Sequence, residues 1–581
     1  MGRLMDQKEL ADVFERIAQL MEIKGELVYK YLAYRKAADS LRNLAESIQT
    51  VREEGRLTEI PGVGKAIAQK IEELLDTGRL QFLEKLESEV PPSLIEVLNV
   101  PDVGPKKAAL FWREANVIDL VGLEAAARAG RLRELPGMGE KSEQRILAGI
   151  EALKRRSNRM LLGNAVPAAE RWLDWLRGLP AVRRAEVAGS LRRWKSTVGD
   201  FDLVVASDQP VEVMEAFVSH PEVTRVKSRG ENKSSVEFAN GMGAQLWIQP
   251  PERFGTLWQY ATGSKDHNVR LRELAQRLGY SLSEQALLDS EGRELLFAEE
   301  AELYSQLGLD WVPPELREDR GEVPAAKEQR LPAMLETQHI RAELHAHTRW
   351  SDGAETIENM ARAALQRGLK VLAITDHSRG LGIAGGLSEE DLRQQWLEID
   401  AVQRELGDEI RLLKGSEVEI HADGSLDFSD ETLAQLDVVV ASLHSGLRQP
   451  REVITQRLVA AMRNPHVDII GHPSGRLLLH REPSDLDMES VLREAQASQV
   501  VLEINANPSR LDLDEVYARR AAEMGILLSI DTDAHAPDQL DLLKYGVSVA
   551  RRAWVSSQQI INTWEPERLL AWLAQRGGTQ S

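Results

Sequence analysis

The sequence predicts a multidomain chain in three styles: a helical N-terminal part, a mixed α/β middle and a C-terminal barrel of alternating strands and helices. Three observations predict it. The chain has 581 residues, more than one hydrophobic core ordinarily serves. Residues 5–155 show helical periodicity broken at Gly/Pro turns, whereas 186–250 hold short β-type runs such as DFDLVVA, KSSVEFA and AQLWIQ. Towards the C-terminus, short apolar runs that end in polar clusters alternate with helical stretches, the pattern of a parallel α/β fold.

The composition, 43% hydrophobic and 28% charged, is that of a soluble globular protein. With no cysteine, disulfides, thiolate nucleophiles and Cys-ligated metals are excluded, so any metal sits on His, Asp, Glu or carbonyl oxygen. No run approaches the roughly 18 apolar residues of a membrane span. The opening MGRLMDQKEL lacks the apolar core of a signal peptide. A cytoplasmic address without a membrane partner is therefore expected. The net charge of −20 counts at first sight against a nucleic-acid partner. The charge is uneven: counted along the sequence, residues 1–330 carry about −6, 331–581 about −14, and Lys141 to Lys195 about +8. A solvated helix face is the bland reading of that basic stretch, and the neighbouring motifs decide.

Three repeats lie in the helical part: LTEIPGVGKAIAQKI (57–71), LNVPDVGPKKAALFW (98–112) and LRELPGMGEKSEQRIL (132–147). Each joins an apolar helix end to a tight turn and a second helix. Gly62 and Gly64, Gly104, and Gly137 and Gly139 let backbone N–H groups approach a phosphate, and the following helix N-terminus adds its dipole. This resembles the helix-hairpin-helix motif, which grips DNA backbones without reading sequence. The second repeat fits least, because Asp102 follows Pro101 where the others have Gly.

The segment VYKYLAYRKAADSLRNL (28–44) resembles the lyase domain of family X DNA polymerases. The resemblance places Lys70 at the Schiff-base position and Lys30, Tyr34 and Arg35 at DNA-contacting positions. An exposed helix lysine without chemistry is the competing reading of Lys70.

In EVAGSLRRWKSTVGDFDLVVA (186–206), Gly189 and Ser190 form a loop able to hold a triphosphate, and Arg193 can fork onto phosphate oxygens. Asp200 and Asp202 alternate on a strand and share a face, where they can hold Mg²⁺ or Mn²⁺. This resembles the nucleotidyltransferase palm of family X. The segment 230–275 continues the resemblance into the thumb through Tyr260, Thr262, Gly263, Asn268 and Arg272, which in the family approach the incoming nucleotide and template base. Two positions depart from the family. Gln245 stands where a third metal-binding aspartate is usual, and Ala261 replaces the usual aromatic beside the sugar. With Asn240-Gly241 read as a two-residue turn, Gln245 is expected opposite Val236, and Glu237 on the other face. Weakened polymerisation with a dependence on Mn²⁺ is expected.

WVPPELREDRGEVPAAKEQRLP (311–332) is rich in Pro and charge and reads as an interdomain linker. Beyond it lie ten of the 12 histidines. In ELHAHTRWSDGAET, His345 and His347 alternate on a strand, with Asp352 in the loop. The runs KVLAITDHS, LLKGSEVEI, LDVVVASLHS, VDIIGHP and ILLSIDTDAH each end in a polar cluster, as in a βα barrel whose site lies at the strand ends. This resembles the polymerase and histidinol phosphatase (PHP) superfamily, whose distorted (β/α)7-type barrel is then expected. The resemblance matches His345, His347, Asp352, His377, Glu417, His444, His472, Asp533 and His535. That set can support two to three divalent ions, Mn²⁺ or Zn²⁺. Arg379, Arg448 and Arg476 are candidate phosphate contacts.

The expected order is a lyase-like helical domain (1–85), a fingers-like helical domain (86–158), palm (159–254), thumb (255–312), linker (313–334) and PHP domain (335–581). The resemblance implies a DNA repair polymerase with a 3′–5′ exonuclease. Its partners would be gapped or 3′-ended DNA and deoxynucleoside triphosphates. The alternative is a PHP nuclease or phosphoesterase that uses a degenerate polymerase half as a DNA-binding platform.

Overall fold

A computed structural model describes residues 7–42, 48–157, 159–239 and 241–577. The chain divides at Asn158 into two compact units.

The first unit is all helix. Val63 and Val103 are buried within the turns of the first two repeats and Leu132 just before the turn of the third, and in each the chain turns sharply into the next helix. Gly64 and Gly104 cap helices Lys65–Thr77 and Pro105–Ala115, and Gly139 precedes helix Glu140–Ser157. The turn needs a positive φ, which Gly62 (82°) and Gly137 (74°) supply. Asp102 adopts the same geometry at 67°, so the second repeat keeps its turn although it lacks that glycine.

The second unit opens with a five-stranded sheet. Its strands are β1 (Arg184–Val187), β2 (Asp200–Ala206), β3 (Val223–Arg229), β4 (Lys233–Phe238) and β5 (Gly243–Gln249), in the order β1-β2-β5-β4-β3. Alternate residues of β4 and β5 are buried, which fixes one apolar face and one open face. Two expectations for this hairpin are corrected. Gln245 pairs with Ser235, not Val236, and Glu237 pairs with Gly243. The hairpin's last pair is Phe238 with Met242, where Phe238 N donates to Met242 O at 2.9 Å, so three residues of sequence separate the pair rather than two. The one-residue slip puts Glu237 on the same face as Gln245. Asn240 itself lies outside the described residues.

Helices Phe254–Thr262 and Lys265–Arg277 follow the sheet. The segment read as a linker is packed: Pro314, Leu316 and Arg317 are buried, and Arg317 has no exposure at all. Its charge is absorbed by a carboxylate. Glu300 accepts from Arg317 at 2.8 and 3.1 Å and from Arg192 at 2.7 and 2.6 Å. Composition alone could not reveal this, because the partners lie far apart in sequence.

Seven parallel strands complete the unit in sequential order: β6 (Ala342–Ala346), β7 (Val371–Ile374), β8 (Arg411–Glu419), β9 (Val438–Ser442), β10 (Ile469–Ile470), β11 (Val501–Asn505) and β12 (Leu528–Asp531). A parallel bridge between Ala346 and Ala534 brings the last strand back to the first. Every residue of β6, β9 and β11 is buried, as helices on the outside require. Among the described residues no helix is long and apolar enough to cross a membrane.

Candidate active sites in the palm and the barrel

In the palm, Gly189, Ser190, Arg193, Asp200, Asp202, Tyr260, Gly263, Asn268 and Arg272 line one cleft of about 390 Å³. Gly189 must be glycine. Its φ is 57°, and a Cβ there would stand 1.9 Å from Asp202 Oδ2. Burial, reinforced by Asp200, pushes the Asp202 carboxyl up to about 7. Two carboxylates at this spacing repel one another until a cation joins them. The Gln245 side chain donates to Asp200 Oδ2 at 2.9 Å. Glu237 is engaged elsewhere, by Lys227 Nζ at 2.6 Å. Asn268 is nearly buried, and its amide is committed to Gln259 and to the Tyr260 carbonyl, both at 2.8 Å. Trp247 and Lys265, which sequence reading did not single out, line the same cleft.

In the helical unit the expected DNA contacts are internally paired. Lys30 meets Glu26 at 3.0 Å, and Arg35 meets Glu22 at 3.0 Å and Glu15 at 3.5 Å. Tyr34 is stacked between Phe14 and Phe82, and Lys70 Nζ lies 5.0 Å from the Phe82 ring centre. Virtual Cβ atoms on Gly64, Gly104, Gly137 and Gly139 meet nothing within 4 Å, so these turns face open space.

In the barrel all nine expected side chains converge at the C-terminal ends of the strands. Eight of them form three groups: His347, Asp352, His377 and His535; His345, His347 and Asp533; and His377, Glu417 and His444. Within each group the candidate ligand atoms lie within 4.8 Å of one another. Glu417 is the hub, with His377 Nδ1 at 2.7 Å, His472 Nε2 at 2.9 Å and His444 Nε2 at 3.2 Å. His472 (φ 29°) and Asp533 (φ 55°) hold left-handed backbone that the fold must impose.

The electrostatics are those of a cation site. Burial, with His535 and His377 alongside, lowers His347 to about 3, and burial with Arg510 alongside lowers His472 to about 4. Burial also opposes charge on His444 and His535, yet Glu417 raises the first and Asp352 the second to about 9. Both ring nitrogens of His347, Nε2 of His345, Nδ1 of His377 and of His472, and Oε2 of Glu417 are buried and make no aligned hydrogen bond in the protein, although Glu417 Oε2 lies 2.7 Å from His377 Nδ1 and Asp533 Oδ1 lies 3.1 Å from His347 Nε2. Buried polar atoms are rarely left so. Divalent cations fit this donor set of imidazole and carboxylate.

Sequence reading missed the supports behind these groups. Glu503 Oε1 stands 2.7 Å from His345 Nδ1, and Glu419 Oε2 stands 2.8 Å from His444 Nδ1. Such carboxylates fix which ring nitrogen faces the metal. The signals were there: Glu419 follows Glu417 by two on β8, and Glu503 lies on β11, the strand from which no ligand was expected. Arg476 is not free for phosphate, because it donates to the Arg510 and Leu511 carbonyls and meets Asp514. Arg379 and Arg448 remain exposed. Arg510, 3.6 Å from Asp533, is the arginine beside the cluster.

Fold and sites together define a chain that unites a nucleotidyltransferase-type cleft with a metal-binding phosphoesterase barrel. Comparison with known proteins agrees. A helix-hairpin-helix domain matches residues 5–80, a SAM-like helix-hairpin-helix tandem 94–152, a DNA polymerase beta thumb 257–318 and a PHP domain 343–507. The "DNA polymerase/3′-5′ exonuclease PolX" of Bacillus subtilis is 37% identical over 561 residues, 96% of this chain and 97% of that one. A probable phosphatase of Thermoanaerobacter sp. is 32% identical over 231 residues, 38% of this chain and 89% of its own. The probable phosphatase YcdX of Escherichia coli is 28% identical over 247 residues, 40% of this chain and 94% of its own. The chain belongs to the family of bacterial family X DNA polymerases that carry a C-terminal PHP domain.

Proposed function

We infer that the protein is a DNA-directed DNA polymerase joined to a metal-dependent 3′–5′ exonuclease, serving gap filling and end processing in DNA repair. One observation carries this reading. A cleft with Ser190, Arg193 and paired aspartates and a barrel mouth with eight grouped candidate ligands and His472 beside them occur in one chain, which matches a polymerase/exonuclease over 96% of its length.

In the palm, Asp200 and Asp202 hold Mg²⁺ or Mn²⁺, and Gly189, Ser190, Arg193, Tyr260, Gly263, Asn268 and Arg272 receive the deoxynucleoside triphosphate. An ion held there would supply charge stabilisation at the α-phosphate. Gln245 cannot accept the primer 3′-hydroxyl proton, and its amide occupies an Asp200 lone pair. Polymerisation is therefore weakened and leans on Mn²⁺. In the barrel, His345, His347, Asp352, His377, Glu417, His444, His472, Asp533 and His535 would hold two to three Mn²⁺ or Zn²⁺ ions, which would supply an activated water and a clamp for the phosphodiester. Glu417 shares itself among the groups, while Glu503 and Glu419 hold His345 and His444 in one tautomer. The glycine turns at Gly62, Gly64, Gly104, Gly137 and Gly139 grip the DNA backbone; Lys30 and Arg35 would join them only by exchanging Glu26 and Glu22 for phosphate, and Tyr34 supports that face from its stack between Phe14 and Phe82. Lys70 is the candidate for a lyase step, beside Phe82.

A second reading, a PHP nuclease with a degenerate polymerase half, is favoured by the Gln245–Asp200 hydrogen bond. Incubating 5′-labelled gapped DNA with Mn²⁺, with and without deoxynucleoside triphosphates, separates them. Products that lengthen with nucleotide and shorten without it support the inference. Shortening under both conditions supports the second reading.

A further inference from the structure

The short helix Gly189–Arg192, which carries Ser190 and is capped by Arg193, is seated on the barrel with the turn that follows it. Trp194, at a φ of 53°, lies with its ring centre 6.1 Å from that of Tyr545, on the barrel helix Leu543–Arg552. Arg552 ends that helix and is 3% exposed. Its Nη1 donates to the Arg193 carbonyl at 2.6 Å and to Glu318 at 3.1 Å, and its Nη2 donates to Glu515 at 2.8 Å. Glu318 in turn accepts from Arg193 Nε at 3.0 Å. A second Arg193 nitrogen, Nη1, donates to the Thr262 carbonyl, and neither contact uses Nη2. Lys195 completes the cluster, 3.4 Å from Glu515 and 3.9 Å from Glu318. Burial would raise Glu515, yet Arg552 and Lys195 hold it down to about 2.

We propose that Arg552 of the barrel is a positioning residue for Arg193 in the nucleotide cleft, so that the barrel is part of the polymerase's nucleotide-binding scaffold. The proposal rests on the reading that this cleft takes a triphosphate. Glu318 anchors one edge of the Arg193 guanidinium, and Arg552 balances the charge of Glu318 while holding the Arg193 backbone. Without Arg552, Glu318 would draw on Arg193 more strongly and compete with the triphosphate for it. A carboxylate stripped of a buried partner is costly, and the remaining cation must answer it. The C-terminal end of the short helix would also lose the donor to its Arg193 carbonyl.

The test uses the full chain with Arg552→Met and with the double variant Arg552→Met/Glu318→Gln. The single variant is expected to raise the nucleotide KM in gap filling roughly five- to fiftyfold, with kcat changed by less than about threefold. Equilibrium binding of a fluorescent deoxynucleoside triphosphate should weaken by the same factor. Exonuclease rate on single-stranded DNA and bound-metal content should stay at wild-type values. The double variant should recover most of the affinity, which a merely structural role for Arg552 would not give. Unchanged nucleotide affinity in Arg552→Met overturns the proposal. So does a parallel loss of affinity, exonuclease, metal and thermal stability that the double variant does not recover. A wild type that binds no triphosphate sinks the nucleotide-site reading with it, whereas a wild type that binds but does not extend leaves the binding ratio to decide.

Discussion

Gln245 donates its side-chain amide to Asp200 at 2.9 Å, across neighbouring parallel strands of the palm. A neutral donor thus sits where a third carboxylate would complete a cation site. Gln245→Asp should raise primer extension at least tenfold and relieve the Mn²⁺ dependence, since a positioned base contributes on the order of 10²–10⁴ in rate. Extension assays in Mg²⁺ and Mn²⁺ check this, and no gain would remove Gln245 as the cause of weak synthesis.

Glu417 touches five histidines, so its loss disables all the barrel groups at once. Glu417→Gln should lower 3′–5′ digestion more than about 100-fold and reduce bound metal, while leaving triphosphate binding in the palm intact. Elemental analysis beside digestion of labelled single-stranded DNA gives both quantities. Undiminished digestion would place the nuclease elsewhere.

His444 and His535 stand at about 9 in the metal-free barrel and so carry protons at neutral pH. A cation must expel them. Affinity should therefore rise with pH through the neutral range, by about tenfold per unit for each proton released, and level off above pH 9. Calorimetry in buffers of different ionisation enthalpy counts those protons directly. A count of zero at pH 7.5 contradicts the ligand assignment of both histidines.

Glu300 is held at about 2, against an ordinary 4.5, by the buried arginines at 192 and 317, which outweigh the effect of burial. A depressed carboxyl stabilises the fold above its ordinary pKa, and the contribution fades as pH falls from there through about 2. Glu300→Gln should cost about 3–5 kcal/mol near neutrality, because it leaves two buried arginines unbalanced. Urea unfolding should show that deficit constant above pH 5 and shrinking towards pH 3. A deficit independent of pH would mean that the variant fails through packing instead.

Asp102 holds a left-handed turn at φ 67° and meets Arg145 at 3.5 Å. On the reading that this turn meets DNA, its carboxylate would repel a phosphate, and Pro105 removes an N–H from the following helix N-terminus. Asp102→Gly should tighten DNA binding about threefold to tenfold in low salt, with less effect at 0.2 M. Fluorescence anisotropy measures it, and weaker binding would show that the Asp102–Arg145 pair is needed to shape the unit.

Much of the barrel site was legible because the signal is local. An apolar run followed by His or Asp marks a strand and the group at its end, and convergence follows from closing the barrel. Glu503 and Glu419 were only partly so: their place on strands β11 and β8 was readable, but not that Glu419 meets His444 from the next strand or that Glu503 reaches His345, two strands round the closed barrel. The palm aspartates were readable from their period of two, whereas the partner of Gln245 depended on a loop one residue longer than its Asn-Gly pair suggests. The 313–334 segment reads as a spacer only until the partners of Arg317 are known.

The buried nitrogens and oxygen at the barrel mouth that make no aligned hydrogen bond have an energetic consequence. Groups desolvated without a partner burden the metal-free fold, and whatever binds only the folded chain offsets the burden by mass action. At a hundredfold excess over its dissociation constant, each ion adds about 2.7 kcal/mol to the folded state. Metal scarcity would then act as a destabilising mutation does, enlarging the unfolded fraction and the exposure to proteolysis. Abundance of the protein, and not its nuclease rate alone, would follow the supply of divalent ions.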